Sequence, residues 1–252
     1  MGFSGDIYKR SIADLVTENQ GFAAILHYFG ISFFQCEQQS LAEVCRKFKV
    51  GPEQVVAELE HWAKSKDPST EELYLHSIEV LVGYLKKKHR FFIRQELPFL
   101  SSMVEGIHHI EPYDSLLADL RLMFPLFVDD FIHHIHEEED TLFNRIFLLQ
   151  EIEKNITPIE TAIKIFEKSS IIDLADEHDA HDDEMQGIRK LTANYQLPQE
   201  APIAIKILYM ELQKLEQELI VHAKIENDLL FPKAVELEKD VKRKLLIKIK
   251  SN

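Results

Sequence analysis

A ten-residue pattern occurs twice in this chain and constrains it more than any other feature. Residues 134–143 read His-Ile-His-Glu-Glu-Glu-Asp-Thr-Leu-Phe, and residues 222–231 read His-Ala-Lys-Ile-Glu-Asn-Asp-Leu-Leu-Phe. In each copy a Glu follows the first His by four residues, an Asp follows two later, and Leu-Phe closes the pattern. On a helix, residues four apart lie one above the other, so each copy presents an imidazole and a carboxylate together. Two such helices face to face would bring two His and two Glu to one point. Inward-facing bundle residues offer that kind of ligand set to a pair of metal ions. One His-x3-Glu alone is ordinarily a solvated pair on a helix surface. Two copies with the same Asp and Leu-Phe offsets indicate a shared site.

The rest of the chain supplies helices to carry such a site. The polar stretch 64–70 reads as a linker. After it come four long helical stretches, at about 71–105, 112–155, 158–195 and 202–237 or beyond, with Pro125 as a kink in the second. The breaks between them are short, which favours antiparallel neighbours. Residues 1–66 form a smaller helical unit. Gly30 is placed to end one helix, Ser40 to cap the next, and Pro52 to open a third. The fold expected is all-α: a four-helix up-down bundle over residues 70–252, preceded by a small helical domain over 1–66.

A site fed by four helices needs ligands from the first and third. His178 lies 44 residues before His222, and His89 lies 45 before His134, whereas His76 is 58 away. The two halves therefore share one design: a His, a hairpin, then His-x3-Glu. The candidate ligands are His89, His134, Glu138, His178, His222 and Glu226. His76 is the rival to His89 on the first helix, and His181 the rival to His178 on the third. His133–Glu137 and His136–Asp140 share the four-residue spacing, but only His134–Glu138 matches the second copy. Asp140, Asp228 and Glu177 are candidates to hold the far ring nitrogens. His27, His61, His108 and His109 read as surface residues. Imidazole with carboxylate and open positions favours non-haem iron over structural zinc, whose sites are closed and thiolate-rich.

Composition narrows the partners. The formal net charge is −14, so neither nucleic acid nor an anionic membrane is the expected partner. No run of about 18 apolar residues suggests a membrane span. No signal peptide is evident, and two cysteines in 252 residues make no disulfide framework, so a cytoplasmic location is expected.

The segments 89–98, 134–143, 177–179 and 222–232 resemble the hemerythrin-like di-iron proteins that repair iron–sulfur clusters, the RIC family. The resemblance covers nearly the whole chain, including the short N-terminal helical domain. It implies that the six candidate positions bind two Fe ions in an oxo- and carboxylate-bridged centre, with Glu138 and Glu226 as bridges. It further implies repair of clusters damaged by nitrosative or oxidative stress, through NO or O2 chemistry or through iron donation. The implied partners are damaged iron–sulfur proteins, or NO and O2 as small ligands, and a homodimer. The alternative function is a hemerythrin-like O2 or redox sensor without turnover.

Two features depart from the family pattern. Phe34-Gln35 stands where the family carries adjacent cysteines, so the vicinal dithiol is absent and Cys36 is single. On the first helix, many members have two adjacent His, but here His89 is followed by Arg90.

Overall fold

The computed structural model describes residues 7–19, 21–64, 68–167, 169–179 and 185–250. The chain is all-α: no β-strand occurs among the described residues, only an isolated bridge between Ser11 and Ser40. The helices are numbered in chain order. Those of the N-terminal segment are α1 (Ile12–Glu18), α2 (Gly21–Tyr28), α3 (Leu41–Phe48) and α4 (Pro52–Lys64). Then come α5 (Thr70–Tyr74), α6 (Ile78–Phe91), α7 (Leu97–Gly106), α8 (Asp114–Glu138) and α9 (Asn144–Glu153). The remainder are α10 (Ile159–Phe166), α11 (Ile171–Asp179), α12 (Gln186–Leu191), α13 (Ile203–Ile225) and α14 (Phe231–Lys250).

Local chemistry explains many of the boundaries. Ser40 accepts from the Glu43 amide while the Glu43 carboxylate reaches back to the Ser40 amide, a reciprocal cap that satisfies two orphan donors of α3. Ser69 and Glu72 repeat the device at α5, at the boundary between the stretch read as linker and the first long helical stretch. Pro52 opens α4, where its missing N–H costs nothing. Gly30, at φ +74°, ends α2 in a conformation that glycine tolerates best. The apolar run expected as one helix up to Phe29 is two, α1 and α2, because the Asn19 side chain accepts from the Gly21 amide and turns the chain.

The chain divides into two compact units. One comprises residues 1–68, 92–125 and 187–215; the other comprises 69–91, 126–186 and 216–252. In the first unit, Phe34 rests on Gly106, where an added Cβ would come within 2.7 Å of the ring. His27 is half-buried there, its ring 5.1 Å from that of Phe99 and its Nδ1 3.2 Å from Ser102 Oγ. It is thus a packed residue rather than the surface histidine expected, and burial lowers its pKa.

The second unit holds the repeated motif. Its core gathers Leu81 and Leu85 of α6, Leu142, Phe143, Ile146 and Leu149 of the second stretch, and Leu230, Phe231, Ala234 and Val241 of the fourth. Both Leu-Phe pairs of the repeat are buried, as the pattern required.

Two expectations about helix continuity are corrected. The third stretch, 158–195, is divided into α10, α11 and α12. Ser170 begins α11 afresh, its hydroxyl accepting from the Asp173 amide. The first, second and fourth stretches each contain a five-residue π-helical turn: Phe92–Glu96, Glu139–Phe143 and Glu226–Leu230. Each turn adds a residue to the helical repeat and changes which side chains face inward beyond it.

One ion pair ties four helices of the second unit together. Glu238 of α14 accepts from Arg145 Nη2 at 2.6 Å and from Arg145 Nε at 3.2 Å. Its other oxygen accepts the Ile171 amide at 3.2 Å, at the start of α11. Arg145 Nη1 donates to the Ile165 carbonyl of α10. Both side chains are largely buried, so removing one strands the other's charge. Arg145→Ala should lower unfolding free energy by about 3–5 kcal/mol, read as an earlier urea midpoint at unchanged slope. An unchanged midpoint would show that the pair is not holding these helices.

Candidate metal centre

Four of the six candidate ligands converge. His89 of α6, Glu138 at the end of α8, His222 of α13 and Glu226 offer ligand atoms within 4.8 Å of one another, and all four residues are buried. His89 Nε2 lies 3.1 Å from His222 Nε2 and 3.4 Å from Glu138 Oε2. His222 Nε2 lies 2.8 Å from Glu226 Oε1, four residues along the same helical stretch. Phe143 walls one side, its ring stacked on that of His89 at 5.6 Å and 6° between planes.

The flanking residues fix the register. His133, His136, Glu137 and Asp140 are exposed, while Glu138 is buried and His134 half-buried. Thus α8 buries Glu138 and leaves His133, His136 and Glu137 on its exposed side. His134 sits one turn before Glu138, its ring stacked on Phe131 at 6.5 Å, and is not one of the four converging residues. His76 is exposed in the bend after α5, and Arg90 is also exposed, whereas His89 is only 1% exposed. His178 lies on α11, but its side chain and those of Glu177 and Asp179 are outside the described residues, as is all of His181.

The π turns begin close to these residues. Glu226 opens one, Glu138 immediately precedes another, and His89 comes three residues before the third. No composition rule marks them in the sequence. The equal Leu-Phe offsets in the two copies are their one trace, because two adjacent residues are buried together in each.

The nitrogen partners also differ from expectation. Asp140 and Asp228 are exposed. The carboxylate beside His89 Nδ1 is instead that of Glu139, at 2.9 Å. Lys88 adds an ion pair to Glu218 at 3.1 Å next to the cluster.

Electrostatics show why the set suits a cation. Both Glu138 oxygens are buried without a well-formed hydrogen bond. Burial, then the charge of Glu226, pushes the Glu138 carboxyl up to about 8, with His89 pulling the other way. Burial alone would lower the His89 pKa, but the nearby Glu138 carboxylate, 3.4 Å from Nε2, with Glu139 and Glu226, outweighs that and raises it. Two carboxylates and two imidazoles in an apolar core need positive charge, from protons or from metal. The donor set is nitrogen and oxygen only. Cys36 and Cys45 lie in the other unit and are buried.

Residues 80–234 match the hemerythrin HHE cation-binding domain, and the chain belongs to that family of metal-binding helical bundles. Among its relatives are two proteins named iron-sulfur cluster repair protein ScdA. That of Staphylococcus epidermidis is 25% identical over 227 residues, covering 88% of this chain and 96% of the relative. That of Staphylococcus haemolyticus is 25% identical over 224 residues, with the same coverage. The iron-sulfur cluster repair protein YtfE of Musicola paradisiaca is 22% identical over 228 residues, covering 90% of this chain and 96% of its own.

The raised Glu138 and His89 values set a pH dependence. Both groups bind a proton more tightly folded than unfolded, so their contribution to stability is full at low pH. The Glu138 part is lost as pH rises from the ordinary carboxylate range through about 8. In protein stripped of metal, Glu138→Gln should therefore gain stability relative to wild type as pH rises from about 5 to 8. Denaturation of both proteins across that range measures the difference. A difference that stays flat or runs the other way contradicts the assignment.

Proposed function

We propose that this chain is a di-iron protein that repairs iron–sulfur clusters damaged by nitrosative or oxidative stress. The observation that carries the reading is the buried convergence of His89, Glu138, His222 and Glu226 in an all-α domain of the hemerythrin HHE family. The names and near-complete coverage of the relatives support the biological role. The two irons would be held by His89, His134, Glu138, His178, His222 and Glu226. When bound, such a pair supplies redox chemistry toward NO or O2, or a store of iron for a damaged cluster.

The chain's own residues supply the rest. Each carboxylate has two oxygens, so Glu138 and Glu226 would each be able to hold both ions. His222 and Glu226 are placed by one helical stretch, and His89 is set against them from α6 at 3.1 Å. Phe143, stacked on the His89 ring, keeps bulk water from this side of the cluster. No described helix is long and apolar enough to cross a membrane.

The thiols contribute little to this chemistry. Burial raises the Cys36 thiol to about 11 and also raises Cys45. Both stay protonated at neutral pH, the poorer state for attack or for metal ligation. Repair in this chain therefore runs through imidazole and carboxylate, without the paired cysteines of the family's N-terminal domain.

The deciding experiment combines iron analysis and an absorption spectrum of freshly purified, untagged protein with two assays: NO consumption, and recovery of a damaged iron–sulfur enzyme. About two irons per chain with recovery of the enzyme is the expected result. Reversible O2 uptake with neither NO consumption nor recovery would instead favour a sensor. Glu138→Ala and Glu226→Ala should each lower iron content and near-ultraviolet absorption together, and full iron occupancy in both variants would refute bridging. Loss of iron is expected for His178→Ala and not for His181→Ala, and the reverse pattern would move the third-helix ligand to His181.

A further inference from the structure

We propose that Glu139 is the positioning residue for the His89 imidazole, and that it makes His89 a stronger metal donor. This inference rests on the metal-centre reading above and adds a residue that neither the repeat nor the family match identifies. Four observations carry it.

First, Glu139 Oε1 lies 2.9 Å from His89 Nδ1, a distance at which an N–H donates to a carboxylate. Second, the other ring nitrogen points the opposite way, with Nε2 at 3.1 Å from His222 Nε2 and 3.4 Å from Glu138 Oε2. A proton held on Nδ1 by Glu139 leaves the Nε2 lone pair facing the cluster, which is the tautomer that ligation requires. Third, the imidazole is 1% exposed while the Glu139 side chain is 32% exposed. The carboxylate keeps part of its hydration, so it holds the ring without adding a third buried acid to Glu138 and Glu226. Fourth, Glu139 opens the π turn Glu139–Phe143, which also delivers Phe143 onto the face of the same ring. One turn thus fixes the imidazole twice, by a hydrogen bond at its edge and by stacking on its face.

An anionic carboxylate on the far nitrogen raises the basicity of the ligating one, and loss of such partners costs 10–100-fold in metal affinity. More electron density at the metal also favours its oxidised state, so Glu139 should lower the reduction potential of the centre. The neighbouring acids are natural controls, since Glu137 and Asp140 are exposed.

The test uses the full chain and the isosteric Glu139→Gln, with Glu137→Gln as control. Iron(II) affinity is measured by competition with a chelator, and the potential by spectroelectrochemistry. Nitrogen-15 NMR of the metal-free protein reports the His89 tautomer. Glu139→Gln should bind iron(II) roughly 10–100-fold more weakly, shift the potential positive and lose the preference for a proton on Nδ1. Glu137→Gln should match wild type in all three. If wild type binds iron and Glu139→Gln matches it in affinity and potential, the role of Glu139 is overturned. A lower melting temperature with unchanged affinity and potential also overturns it, because a merely structural contact would behave that way. Wild type that takes up no iron overturns the metal-centre reading itself, and with it this role. The tautomer measurement then shows separately whether the Glu139 contact exists.

Discussion

Two carboxylates that cannot both be charged without help dominate the second unit. Glu138 and Glu226 are buried in a core of leucine, isoleucine and phenylalanine, close enough for the charge of one to raise the pKa of the other. Water cannot screen them there, so the fold must supply protons or cations. The surrounding features answer that need: two imidazoles within reach, an aromatic wall, and a third carboxylate behind His89. A structure that served stability alone would replace such a cluster with apolar side chains, as buried ion pairs often permit. Its presence in a hemerythrin-family domain is therefore an argument for function.

The repeat made much of this site legible. The four-residue spacing, the shared Leu-Phe offset and the parallel spacing of His89 and His178 are all local properties of the chain. Helix periodicity turns them into statements about faces: Glu138 and His89 are buried, His134 is half-buried, and His133, His136 and His76 are exposed. The architecture was legible for a related reason. Long apolar periodic stretches separated by short breaks leave few alternatives to a helical bundle.

Other features escaped because they depend on tertiary partners. The π turns cost local hydrogen-bond geometry and are held by what surrounds them, so no single-residue propensity announces them. The division of the third stretch into α10, α11 and α12 arises partly from Glu238, far along the chain, which accepts the Ile171 amide. Carboxylates to hold the far ring nitrogens were expected at Asp140, Asp228 and Glu177, but the turn directs Glu139 to the His89 ring and leaves both aspartates exposed. His27 looked like a surface residue because nothing near it in sequence foretells Phe99 and Ser102. In each case a contact between distant segments overrode a sound local reading.

The Glu238 contact also bears on the order of assembly. The helix that carries His178 is held at its start by a residue 67 positions later. During synthesis that anchor leaves the ribosome after every candidate ligand has already emerged. A nascent chain therefore displays its histidines and acids before the last helix can draw α11 into place. The start of α11 thus gains this hydrogen bond only after Glu238 has been made.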